Sequence, residues 1–300
     1  MSGRTVNSAI LLLVIGNAMA LVSDVFIKLL EPGSPVFQFV FLRCLITLAL
    51  LLPFLGQLDR GRLFAGLGVH TLRAHIHLVG IVCMVFALGA LPLATANAVF
   101  YAAPVLVMVF SVLFFRERLD SRSVLAVISG FIGILVILRP VAINWMALSA
   151  LAVAASLAVN ALLVRKLPDG QSTVHKLFLN YLLVLPASAL LMLWEGAAFD
   201  PSLLLTAAGS ALFILGYNMT VLLAYRHVDA SQVTSAEYTG LIWAILLGWT
   251  LFGEAPDLWF ILGASMIVLP LLLISLRQRR PQRRRRGVLV GESSQVGDCP

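Results

Sequence analysis

The sequence predicts an all-α integral membrane protein, with ten transmembrane helices arranged as two inverted-topology five-helix repeats. Three observations predict it. Apolar runs of bilayer-crossing length recur along the chain, basic residues fall on alternate connections, and the second half repeats the first at a constant offset.

The chain is 60% hydrophobic and only 12% charged, with a mean hydropathy of +0.99. Soluble domains carry about 25% charged residues. Crossing the hydrocarbon core takes about 20 predominantly apolar residues in a helix. Cutting the chain at charges, Gly and Pro gives spans near 7–30, 35–56, 71–90, 94–115, 121–138, 143–164, 174–194, 202–225, 231–252 and 258–276. Backbone groups in lipid need internal partners, so these runs are helices. They lack the alternating polarity of a barrel. Arg4 followed by Asn17-Ala18-Met19-Ala20 resembles a secretory leader, but the apolar run continues to Leu30 and reads as a retained span. Cys44, Cys83 and Cys299 have no pairing or metal-ligand spacing.

The charges orient the spans. With both termini cytoplasmic, every Lys and Arg except Lys28, Arg43 and Arg139 falls on the cytoplasmic side, as the positive-inside rule requires. The outer loops carry Glu31, Glu195, Asp200, Glu254 and Asp257. The run Arg283-Arg284-Arg285-Arg286 beside the last span reads as an anchor on anionic lipid, not as a nucleic-acid site.

The offset is 137 residues. It superposes Tyr101 on Tyr238, Phe115 on Phe252, Glu117 on Glu254, Asp120 on Asp257 and Lys28 on Arg165. An odd number of spans per copy turns the second copy over in the bilayer. Inverted repeats of this kind build many secondary transporters, with the substrate site near the midplane between them. The expected units are residues 1–140, residues 141–277, and a basic cytoplasmic tail, 278–300, that reads as disordered.

Two stretches resemble a known family. Ala90-Leu91-Pro92-Leu93-Ala94-Thr95-Ala96-Asn97-Ala98, continuing through Pro104 to Phe115-Arg116-Glu117-Arg118-Leu119, resembles the fourth-helix signature of the EamA domain. Glu237-Tyr238-Thr239-Gly240-Leu241-Ile242-Trp243-Ala244, ending Leu251-Phe252-Gly253-Glu254, resembles its ninth-helix counterpart. Together they resemble the EamA-type ten-helix exporters of the drug/metabolite transporter superfamily. Arg116 stands where a Gly is usual, and Leu241 where the first copy has Pro104. The resemblance implies an export carrier for amino acids, related metabolites or toxic organic compounds, with a cavity lined mainly by spans 1, 3, 4, 6, 8 and 9. The amino-acid exporters of the YddG type are the nearest functional match it suggests.

Charges inside spans are costly and point to function. Asp24, Lys28 and Arg43 cluster toward the outer ends of spans 1 and 2. They read either as a charged rim that binds zwitterions or gates the outer mouth, or as a structural Asp24–Arg43 or Asp24–Lys28 pair with Lys28 snorkelling. Glu237 reads as an acid about two turns into span 9, on one face with Thr234 and Leu241. There it either contacts substrate or exchanges a proton, or is a neutral packed acid. Tyr101 and Tyr238 either flank an amphiphilic solute or pack between helices. Asn97 accompanies Tyr101 at i,i+4, and Pro104 marks a bend, as hinge or as static kink. His77 is a titratable candidate or a packed histidine, and Arg73, one turn before it, reads as interfacial. Asn17, Asn160, Tyr217 and Asn218 complete the polar candidates, with interhelical hydrogen bonding as the alternative for each.

No H-E-x-x-H, G-x-S-x-G, P-loop or ATP-binding domain is present, so the sequence points away from enzymes and primary pumps. The reading is a secondary exporter of amino acids and related metabolites in a cell inner membrane. A lipophilic-cation exporter is the alternative, and a channel or intramembrane enzyme the alternative of another class. The expected partners are a small-molecule substrate and the bilayer. No nucleic acid, cofactor or metal is expected; the sequence leaves the oligomeric state open, a monomer being compatible with it.

Overall fold

The computed structural model describes residues 5–58, 60–116, 121–138, 145–168, 170–225 and 236–273. The expectations placed on Thr234, Glu117, Asp120, Arg139 and the 278–300 tail fall outside these residues. All regular structure among the described residues is helical: α1 Val6–Lys28, α2 Val36–Leu51, α3 Leu67–Ala90, α4 Leu93–Phe100, α5 Ala103–Phe115, α6 Ser121–Leu138, α7 Trp145–Val164, α8 Thr173–Glu195, α9 Leu203–Tyr225, α10 Thr239–Phe252 and α11 Leu258–Leu273. Two 3-10 segments, Leu52–Gln57 and Arg60–Arg62, link α2 to α3. Six helical stretches, with α4 and α5 counted together, are long and apolar enough to cross a membrane, and shorter apolar helices lie among α6, α7, α10 and α11. The chain is a multi-pass membrane protein.

Local chemistry sets several helix ends. Thr5 Oγ1 accepts from Ser8 N at 3.3 Å and Thr5 N donates to Ser8 Oγ at 3.2 Å, a reciprocal cap on α1. Ser172 caps α8 by accepting from His175 N at 3.1 Å. α5 and α10 both end on a left-handed residue, Arg116 (φ 53°) and Gly253 (φ 66°). These two are repeat mates. Glycine adopts that conformation freely, whereas arginine is strained there.

The helix pairings come in couples exchanged by the 137-residue shift. α1 packs along α9, and α7 along α3; α2 meets α9, and α8 meets α3; α1 meets α10, and α7 meets α5. α2 packs on its own counterpart α8. α6 and α11, the fifth pair, meet where Ser129 Oγ donates to Met266 O at 2.7 Å, a bond across 137 residues. Gly133 lies against the Gly263 carbonyl at the same crossing, where a side chain on either would collide with backbone. Outward, Leu113, Phe114, Leu125, Leu190, Leu193, Leu205 and Leu258 are exposed. An apolar surface this extensive matches lipid as its solvent. Trp145, Trp194, Trp249 and Trp259 are exposed near helix ends, where interfacial tryptophans belong.

The structure corrects two span expectations. Span 4 is two helices, with the chain turning at Tyr101–Ala102, three residues before the expected Pro104 bend. Pro104 lies in the first turn of α5, where its missing N–H costs nothing and its ring excludes a continuous helix from α4. In the second half α10 begins only at Thr239, so Glu237 lies in a turn before the helix and not two turns within one. Both repeats thus have a helix start just after the same tyrosine.

Candidate functional site

The site is built around these two helix starts. The Tyr101 and Tyr238 ring centroids lie 6.3 Å apart at 44°. The Tyr101 hydroxyl lies over Gly240, so close that a Cβ there would overlap it. Asn17, from the middle of α1, holds the second turn in place. Its Nδ2 donates to the Ala236 carbonyl (3.0 Å), the Glu237 carbonyl (3.0 Å) and Thr239 Oγ1 (3.2 Å). Such irregular backbone survives at membrane depth only where protein groups satisfy it. Trp243 Nε1 donates to Val14 O at 3.1 Å and fastens α10 to α1 a turn further along. Glu237 interacts electrostatically with Tyr101, Tyr217 and Tyr238, and Asp24 with Tyr101. Two carboxylates and three tyrosines therefore share one region between α1, α4, α9 and α10. Carboxylates and tyrosine faces both attract cations.

A second polar region continues from Asp24. This residue is 6% exposed on α1 and meets Asn97 of α4 and the charge of Arg43 on α2. Arg43 is 3% exposed. Its Nε donates to Ser210 Oγ at 2.9 Å, and Ser210 and Ser23 share a hydrogen bond at 2.8 Å. His77 stands edge-on to buried Tyr181 of α8, with ring centroids 5.6 Å apart. Arg73 is partly exposed, and its Nε and Nη1 are buried.

Lys28 forms neither bond to Asp24 nor a bare snorkel to water. Its Nζ lies 2.9 Å from Glu254 Oε1 and donates to the Leu91 (2.7 Å) and Leu88 (3.2 Å) carbonyls, with the Phe252 ring 5.4 Å away. The unpaired carbonyls at the end of α3 and a carboxylate draw it away from its own helix. The same Glu254 accepts from Leu93 N at 2.7 Å and caps α4. One pair therefore ties together the ends of α1, α3, α4 and α10. Asp24 and Arg43 form no close ion pair either, because Arg43 turns to Ser210.

The remaining amides all bond within their own helices, and Asn97 also meets Asp24. Asn97, Asn160 and Asn218 each donate to the carbonyl four residues back on their own helix, at 3.1, 3.0 and 2.9 Å. Glu254, Ser210, Tyr181 and Thr239 went unnoticed as site candidates. The offset carried a signal for Glu254, since Lys28/Arg165 and Glu117/Glu254 are opposite charges at matching positions. Among the described residues no three His, Cys, Asp or Glu side chains gather as metal ligands.

Residues 7–139 and 144–276 each match the EamA-like transporter family. The chain is similar to a riboflavin transporter of Vibrio cholerae, 29% identical over 93% of this chain and 96% of that one. It is also similar to an S-adenosylmethionine uptake transporter of Rickettsia conorii, 26% identical over 88% of this chain and 90% of the relative. The pseudopaline exporter CntI of Pseudomonas aeruginosa is 24% identical, over 89% of this chain and 96% of its own length. A solved crystal structure shares the fold with a TM-score of 0.61 at 20% identity, over 92% of this chain and all of that one.

Proposed function

The chain belongs to the EamA-like transporter family, and on that premise we propose that it is a secondary transporter exporting amino acids and related small metabolites by alternating access. Ten spans in two inverted repeats, residues 1–140 and 141–277, carry it across a cell inner membrane with both termini cytoplasmic. Solute binds between the repeats, at the helix starts marked by Tyr101 and Tyr238. The relatives' solutes differ widely, so the substrate class rests on this chain's own residues.

One observation carries the reading: the break between α4 and α5 and the start of α10, related by the repeat, meet through Tyr101 and Tyr238 beside the carboxylates Asp24 and Glu237. Interrupted helices at a repeat interface are where inverted-repeat carriers hold their solutes. An ammonium group suits the carboxylates and tyrosine faces. Asn17, Tyr217 and the Asn97 amide frame the region, and Lys28 with Glu254 closes its outer end. The three tyrosines around Glu237 also favour a second reading, an exporter of lipophilic organic cations.

Proteoliposomes holding the full chain test both readings. Amino acids and lipophilic cations are offered at matched membrane potential, with and without trans solute. Amino-acid flux accelerated by trans solute is the expected result. Flux confined to the lipophilic cations replaces the first reading with the second. Flux indifferent to trans solute indicates a channel and refutes alternating access. Glu237→Gln should fold and transport more slowly; wild-type flux in that variant removes Glu237 from the site.

A further inference from the structure

Three basic side chains, Arg43 buried and Arg73 and His77 half-buried, lie together with buried polar atoms that meet no hydrogen-bond partner among the described residues: Arg43 Nη1, His77 Nε2, and Nε and Nη1 of Arg73. Arg43 projects from the middle of α2, and Arg73 and His77 lie one turn apart on α3. The three interact electrostatically, His77 with both arginines. Tyr181 of α8 stands edge-on to His77 and reaches toward Thr47 and Arg43, closing the group on a third side. An arginine cannot shed its charge, and a buried charged donor without an acceptor is among the most costly features a fold can keep. Native proteins leave few such groups, and those that persist call for a ligand or a mechanism.

The nearby protein groups do not supply the acceptor. Ser210 occupies Arg43 Nε and leaves Nη1 open. Asp24 meets the charge of Arg43, yet makes no close pair with it and sits against Asn97. One carboxylate against two guanidinium groups leaves the region positive. Planar guanidinium donors match a carboxylate best, two N–H groups to two oxygens.

We propose that Arg43, Arg73 and His77 form the docking site for a substrate carboxylate. The inference rests on the transporter reading above and gives its solute a second end. Glu237, the tyrosines and Asp24 take a cationic group, and the α2–α3 cluster takes the anionic one. Asp24 lies between the two regions, since it interacts with both Tyr101 and Arg43. The interior then runs from acidic to basic, complementary to a zwitterion.

The test pairs free amino acids with their carboxamides, which keep the ammonium and lose the carboxylate. L-methionine and L-methioninamide, L-phenylalanine and L-phenylalaninamide, and inorganic phosphate are titrated into the detergent-purified full chain, with thermal stabilisation as readout. Counterflow in proteoliposomes supplies a second readout. The free acids should bind about 10- to 100-fold more tightly than the amides, the worth of one charged hydrogen-bonded contact. Arg43→Gln should bring each acid down to its amide, and Arg73→Gln and His77→Gln should narrow the ratio if Arg43→Gln does not fold. Arg43→Lys, which keeps charge but not the planar fork, should recover part of it. Acid and amide carried equally by wild type overturn the carboxylate site and leave a transporter. An acid-to-amide ratio unchanged in all three neutral variants also overturns it. Stabilisation by phosphate alone overturns the carboxylate assignment, and no binding or flux of either member of any pair overturns the amino-acid reading with it.

Discussion

Tyr101 and Tyr238 occupy equivalent places in the two repeats and touch each other, ring centroids 6.3 Å apart, Tyr101 at the break between α4 and α5 and Tyr238 just before α10. Contact between equivalent residues of two copies requires that they lie near the axis relating the copies. The tyrosines mark where the halves meet in the interior, as Ser129 and Met266 mark it at the α6–α11 crossing.

The contact leaves no room at Gly240. Gly240→Ala places a methyl group where the Tyr101 hydroxyl lies, an overpacking that should cost about 1–3 kcal/mol. Thermal melts in detergent should show the loss, and flux should fall with it. Adding Tyr101→Phe removes the hydroxyl and should restore part of both. A Gly240→Ala protein as stable and active as wild type contradicts the packing described.

Asn17 supplies the donors for the turn before α10. Asn17→Ala removes one donor from each of the Ala236 and Glu237 carbonyls, which keep Thr239 Oγ1 and Gly240 N, and should destabilise the chain by about 0.5–1.5 kcal/mol. Hydrogen exchange of residues 239–243 should quicken more than that of α3. Uniform exchange across both would assign Asn17 a generic packing role.

The Lys28–Glu254 pair has side chains only 12% and 20% exposed. Breaking such a pair from one side strands a charge, so Lys28→Met or Glu254→Gln should each cost about 3 kcal/mol, the low end for buried pairs because some water reaches both. The double variant should lose clearly less than the two singles combined. Strict additivity in the melts would mean the pair contributes no coupling.

Arg116 holds a left-handed conformation that its repeat mate Gly253 adopts without strain. Arg116→Gly should therefore stabilise the protein by about 1 kcal/mol. Gly253→Arg should do the opposite. A destabilised Arg116→Gly would show that the guanidinium contributes more than its backbone costs.

That the chain folds into apolar helices, several of membrane-crossing length, was legible because apolar length is a property of composition. So was the pairing of Tyr101 with Tyr238, since one offset fixes it. Pro104 signalled the break in span 4 to within three residues, but the turn before α10 was hidden: Ala236-Glu237-Tyr238 contains no Gly or Pro, and what holds it is an asparagine on α1. Lys28 was read against its neighbour Asp24, because i,i+4 spacing is visible in sequence. Its actual partners are the Leu88 and Leu91 carbonyls at the end of α3 and an acid just past α10, brought near only by tertiary packing. The burial of Arg73 Nε and Nη1 depends on neighbouring helices that no local window contains.

The most extensive helix pairings join one half to the other: α1 with α9, α3 with α7, α2 with α8. Neither half therefore owns a core of its own. During synthesis the helices of the first half enter the bilayer before their partners exist, and must remain there as inserted helices with provisional neighbours. Tertiary structure condenses only once α7 to α9 have followed. Biogenesis of this chain thus separates insertion from assembly in time, and its vulnerable interval, exposed to misassembly and membrane proteases, is the one in which half of it has been made.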